Sequence, residues 1–260
     1  YLDGNLENDD DTSPMGWVVR LPSMAAARLE RDGKLTDATV RPAQEYARTD
    51  FVVDYMRGPG DAAATARIIA KVTELLGVDP ALVKAMGGRV DTQTLLRELY
   101  RRDGRVGSRY DINVTTFDPF PFSYRPRTGG GGDPILDRII APTTSAMVDF
   151  VTRVIGWKVE GAYHALNYEL NSKWSFEDTV PESVTDLRQA LAIDPRMKAL
   201  IAHGYTDLSC PFFASRLIID QMPPTIAGRL QLAVYPGGHM FYSRLDSRAA
   251  LHRAAAAIYH

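Results

Sequence analysis

The stretch from residue 199 to residue 242 constrains this chain more than any other, because one arrangement occurs in it twice. Each copy is a short apolar run, then a turn containing Gly, then a residue able to do proton chemistry. In the first, residues 199–202 lead into His203-Gly204-Tyr205-Thr206-Asp207. In the second, residues 230–235 lead into Pro236-Gly237-Gly238-His239. Continuous apolar runs of this length, bounded by Gly and Pro, fit strands buried on both faces. Residues 211–222 between them have helical spacing, with Phe212, Phe213, Leu217, Ile218 and Met222 available for a buried face. The unit reads strand, acid-bearing loop, helix, strand, histidine-bearing loop. In open α/β sheets, groups that act on ligands sit just past the carboxyl ends of strands, where Asp207 and His239 both fall.

That pairing has a chemical reason. A general-base histidine needs a carboxylate on one ring nitrogen, to fix its tautomer and to stabilise the imidazolium that forms. Taken singly, an Asp in a post-strand turn is most often a cap, and a His after Gly-Gly is usually a loop residue. Their joint occurrence is what carries the chemistry. Asp followed by His, each on a post-strand loop, is the order of the last two members of an α/β-hydrolase triad.

The same residues resemble a known family. Gly204-Tyr205-Thr206-Asp207, followed by Cys210-Pro211, is similar to the aspartate loop of serine carboxypeptidases, G-D-x-D. Gly237-Gly238-His239-Met240 is similar to that family's G-x-G-H-M loop. Tyr205 stands in place of the first Asp, and Phe241-Tyr242 in place of the usual Val-Pro. Arg109-Tyr110-Asp111, after the stretch Arg102-Asp103-Gly104-Arg105-Val106-Gly107, resembles the point where the family's cap leads back to the core. Residues 168–176, with Asn167, Asn171 and Trp174, resemble its Asn-x-x-Trp stretch. The resemblance implies an α/β fold: the C-terminal part of an α/β-hydrolase sheet with a large helical cap insertion. Residues 1–12 are then a loop leaving the core, 13–165 the cap, and 166–260 the part of the core carrying Asp207 and His239.

The remaining chain is read from local signals. Ser13-Pro14 opens a helix to about Arg31, stopped by Gly33 and kinked or split at Pro22. Residues 43–56 read as one helix. Ala62–Leu76 follows behind Asp61 as cap, with Gly77 as its stop. Asp79-Pro80 opens a third, and Asp91 caps a fourth that runs to Arg102 with Leu95, Leu96 and Leu99 inward. Residues 103–128 are rich in Gly, Pro, Arg and aromatics. The four-glycine tract at 129–132 lacks the Lys-Ser/Thr of a phosphate loop and reads as a linker. Residues 142–155, Val184–Ile193 and 245–259 complete the helices, the last Ala-rich and expected to pack on the sheet.

No G-x-S-x-G pentapeptide is present. Ser13 reads as a cap, Ser23 and Ser145 lie inside helices, Ser108 is in a Gly/Arg loop, and Ser209 is two residues from the Asp it would need to serve. In the serine carboxypeptidases the elbow G-E-S-Y-G precedes the cap, so the resemblance puts the nucleophile upstream of Tyr1, in an N-terminal half of the same enzyme. The opening YLDGNLENDDD, without an initiator Met or a signal-peptide pattern, fits a fragment or a processed product.

Composition narrows the partners. The net charge is −2 with no basic block, which argues against nucleic acid, and no apolar run reaches the ~18 residues of a membrane span. One cysteine, Cys210, excludes an internal disulfide and reads as a small buried residue near the aspartate loop, on the wrong member of the pair to act as nucleophile. The five histidines are dispersed, so no metal and no cofactor are expected. By resemblance the expectation is a serine-type carboxypeptidase acting on peptide substrates, exported to the periplasm or secreted. The alternatives are a related hydrolase for esters or acyl groups, and an inactive fragment.

Overall fold

The computed structural model describes residues 2–7, 12–123, 133–158, 160–175 and 181–259. Among these described residues the fold is mixed α/β, largely helical, with two small sheets. The glycine tract at 129–132 lies outside the described residues.

From Met15 to Glu98 the chain is a succession of helices, as the periodicity requires. These are α1 (Met15–Arg31), α2 (Asp37–Arg48), α3 (Asp50–Met56), α4 (Ala62–Leu76), α5 (Pro80–Ala85) and α6 (Thr92–Glu98). Helix α4 has the expected ends: the Asp61 carboxylate accepts from the Ala63 and Ala64 amides, and Gly77 stops it at φ +64°. Three expectations need correction. Helix α6 ends at Glu98, short of the expected Arg102, and a 3-10 turn follows at Arg101–Asp103. Helix α1 is not split at Pro22, which is buried within one continuous helix. The helix read over 43–56 is two helices, broken at Thr49 with φ −120° and ψ −94°. There the Thr49 hydroxyl bonds back to the Glu45 carbonyl at 2.6 Å, a local alternative to continuing the helix.

The loop after α6 holds a short antiparallel pair that the sequence did not signal, β1 (Arg105–Gly107) with β2 (Thr115–Phe117). Helix α7 (Pro134–Asp149) starts eight residues earlier than the periodicity suggested. Asp133 caps it and Pro134 occupies its first turn, and a π-turn at Phe150–Val154 extends it. Helices α8 (Tyr168–Ser172) and α9 (Val184–Ile193) lead to the strand unit.

Strand β3 (Ala199–Gly204), helices α10 (Phe212–Asp220) and α11 (Pro224–Ala227), and strand β4 (Leu230–Tyr235) form a parallel crossover, and α12 (Leu245–Ala257) closes the chain against β4. The register runs from Ala199 opposite Leu230 to Gly204 opposite Tyr235, so both strands end level. Residues 199–203 are half-buried rather than covered on both faces. One hydrophobic core runs from α1, α2 and α4 into the strand unit through Tyr205, Leu208, Phe212 and Phe213. Tyr205, the departure from the aspartate-loop pattern, belongs to it and meets Phe212 edge-on at 5.4 Å. Losing either fully buried phenylalanine would cost ~3–5 kcal/mol, so this packing fixes where the aspartate loop begins.

Candidate active site

Because β3 and β4 are parallel and end level, the loops that follow them emerge side by side. The backbones of these loops interlock. The Tyr205 amide donates to the Tyr235 carbonyl at 2.9 Å and the Thr206 amide to the Gly237 carbonyl at 3.0 Å. A Cβ on Gly204 would lie 2.0 Å from the Gly238 carbonyl oxygen. Two glycines in one corner therefore let the strand ends approach closely.

Asp207 and His239 meet there. The imidazole Nδ1 lies 2.9 Å from Asp207 Oδ2, with the carboxylate only 3% exposed and the ring 43% exposed. An ionised carboxylate only accepts, so Nδ1 carries the hydrogen. The other carboxylate oxygen, Oδ1, accepts the Ser209 amide at 2.7 Å and the Cys210 amide at 3.0 Å. The buried acid is thus satisfied on both oxygens. The hydrogen bond to Asp207 leads the influences that push the His239 imidazole from an ordinary 6.5 up to about 10. The Cys210 side chain acts the same way, and burial opposes both.

A third segment clamps the two loops. The His239 amide donates to the Tyr110 carbonyl, and the Tyr110 ring meets the imidazole edge-on at 5.5 Å. Asp111, buried, accepts the Thr206 hydroxyl on Oδ1 at 2.8 Å, and the Gly238 amide and Arg244 on Oδ2 at 3.1 and 2.9 Å. One carboxylate therefore ties the aspartate loop, the histidine loop and the start of α12. The sequence flagged Asp111 only within a resembling stretch and gave no sign of this role.

Beneath the pair lies a second histidine that sequence reasoning passed over. His203 Nδ1 faces the Cys210 carbonyl at 3.1 Å, and Nε2 faces the Ser215 hydroxyl at 2.8 Å. A carbonyl only accepts, so Nδ1 is the protonated nitrogen and the Ser215 hydroxyl donates to Nε2. Burial holds the His203 pKa below its ordinary value, so the ring is neutral. His203 and Ser215 hold Cys210 from one side while Asp207 holds it from the other.

The serines named from the sequence stand elsewhere. Ser13 Oγ accepts the Met15 amide, Ser23 is buried in α1, and Ser145 is exposed on α7. Ser108 donates to Asp133, and Ser209 uses its amide on Asp207. Cys210 differs from expectation. It is half-buried, and its sulfur stands near the donor atoms of both Asp207 and His239. Dispersal of the histidines therefore did not exclude a donor cluster, since this one needs a single histidine.

A cavity of about 280 Å³ opens beside the pair, lined by Ile201, His203, Cys210 and Phe241 as well as Asp207 and His239. A larger one of about 540 Å³ lies elsewhere, but its Arg48 and Arg216 pair with Glu45 and Asp220. Those two arginines are thus held by neighbouring acids, whereas the smaller cavity holds the Asp207–His239 pair. No helix is long and apolar enough to cross a membrane among the described residues. Comparison of the chain with protein-family models, with curated proteins and with solved structures finds no match.

Proposed function

We propose that this chain supplies the acid–base half of a serine hydrolase of the α/β-hydrolase type, with serine carboxypeptidase-like action on the C-terminal ends of peptides. The observation that carries the reading is the 2.9 Å contact between Asp207 and His239 at the level carboxyl ends of two adjacent parallel strands. The helices of residues 13–165 serve as the cap over the site, and the nucleophilic serine comes from polypeptide outside these residues.

In this reading His239 takes the serine proton as the hydroxyl oxygen adds to the scissile carbonyl. It then returns that proton to the departing amine, leaving an acyl-enzyme, and repeats both transfers with water. Asp207 holds the ring in the tautomer that leaves Nε2 for this work. A value of about 10 keeps the ring protonated at neutral pH, which suits the donor half of the cycle and not the acceptor half. The half-exposed ring offers the remedy: covering it with the nucleophile-bearing polypeptide withdraws water from the imidazolium and lowers its pKa.

The test is turnover of a C-terminally free peptide by a protein that joins these residues to the nucleophile. His239→Ala should lower turnover by about 10⁴- to 10⁶-fold with little change in binding. Near-normal turnover removes His239 from the mechanism.

A further inference from the structure

Among the described residues, one group of three side chains brings together donors of three different chemistries: a carboxylate oxygen of Asp207, the sulfur of Cys210 and a ring nitrogen of His239, all within 4.8 Å of one another. We propose that these three residues form a binding site for a thiophilic divalent cation of the zinc class. This goes beyond the hydrolase reading, since a cation seated there withdraws Asp207 and His239 from acid–base work.

The donor set selects the ion. Thiolate, imidazole and carboxylate together suit zinc, whereas magnesium and calcium take oxygen ligands alone. Zinc bonds of ~2.3 Å to sulfur and ~2.0–2.1 Å to nitrogen and oxygen set tetrahedral donor separations near 3.4 Å, so the 2.9 Å Asp207–His239 contact must open slightly and the sulfur, within 4.8 Å of both, must settle to that spacing. The adjustable parts are the half-buried Cys210 and the half-exposed His239.

The surroundings are already those of a supported site. Asp207 Oδ1 is fixed by two backbone amides, which leaves Oδ2 directed at Nδ1 of His239. The Cys210 backbone is fixed at its amide by Asp207 and at its carbonyl by His203, whose other nitrogen is held by Ser215. Such outer partners orient ligands and commonly govern affinity by 10- to 100-fold. Three protein ligands leave a fourth position, and the 280 Å³ cavity beside them has room for water there. Seating the cation releases the thiol proton and the hydrogen between Nδ1 and Oδ2, so binding strengthens as pH rises.

Cobalt(II) is the probe, added alone to the 260-residue chain, because cobalt–thiolate bonds absorb in the near ultraviolet. The proposal expects a charge-transfer band that saturates at one equivalent and is displaced by zinc. It expects no band in Cys210→Ser, and at least tenfold weaker binding in His239→Gln and Asp207→Asn. Absence of the band in the wild-type chain overturns the proposal, as does a band of unchanged affinity in His239→Gln, which would mean cobalt on the thiol alone. X-ray absorption of the zinc-loaded wild-type chain tests it without any variant: one sulfur with nitrogen and oxygen neighbours supports the site, and a shell without sulfur rejects it. Neither measurement requires turnover, so failure of the hydrolase reading leaves both results standing, and the reverse holds too.

Discussion

Gly238 donates its backbone amide to the Asp111 carboxylate at 3.1 Å across 127 residues of chain, and it does so with no room for a side chain. A Cβ on Gly238 would stand 1.9 Å from the Tyr110 carbonyl oxygen. The histidine loop is therefore pressed onto the segment that carries Asp111, and that acid also holds Thr206, the residue before Asp207. Asp111→Ala would strand the Thr206 hydroxyl and the Gly238 amide and leave Arg244 with Glu30 as its remaining acid. The retained Glu30 pair and the half-exposed position of Arg244 soften the loss, which leaves an expected cost of about 3 kcal/mol in urea denaturation. A cost under ~1 kcal/mol would show that Asp111 does not organise the corner.

The close approach makes a second prediction. Neither Gly204 nor Gly238 has a positive φ, so alanine there is resisted by space alone. The obstacle in both cases is a backbone carbonyl, which cannot swing aside as a side-chain tip can. Gly204→Ala and Gly238→Ala should each destabilise by at least ~2 kcal/mol. Gly228→Ala is the control, since a Cβ there meets nothing within 4 Å. Equal midpoints for all three variants would contradict this packing.

The contrast between these positions and the helices explains what the sequence disclosed. Asp61, Gly77, Val184–Ile193 and Leu230–Tyr235 were legible because caps, stops and apolar runs act within a few residues of chain. The adjacency of Asp207 and His239 was legible because two strand–loop units in parallel order must end together. Asp111 was not, because three of its partners come from residues 206, 238 and 244, and only the Asn113 amide lies near it in the chain. Thr49 was missed for the opposite reason: a single hydroxyl-to-carbonyl bond overrode a helical pattern that extends on both sides. Cys210 looked inert because its distance along the chain from Asp207 said nothing of where His239 would lie.

The electrostatics of the pair can be read directly. With Asp207 present, the His239 ring resonances should titrate well above 6.5, near the 10 set mainly by that carboxylate. Asp207→Asn removes the charge and should return the midpoint most of the way towards 6.5, as followed by NMR of the ring protons. A wild-type midpoint at the ordinary value would mean that the carboxylate and imidazole are not in contact in solution.

The two histidines of this corner should also shape stability in opposite directions. His239 has a folded pKa above its unfolded value, so the native state binds its proton more tightly. That stabilisation is complete below about pH 6.5 and is lost as pH rises through about 10. His203 has a folded pKa below its unfolded value because burial disfavours the imidazolium. Below pH 6.5 the unfolded chain takes up a proton that the folded one refuses, so stability falls there as pH drops. Within the histidine range the thermal midpoint should therefore peak near pH 6.5. His239→Gln should flatten the alkaline limb alone, and His203→Gln the acid limb between about pH 5 and 6.5, above the range where carboxylates titrate. If both variants flatten the same limb, the assignment of one proton-hungry and one proton-averse ring to this corner is wrong.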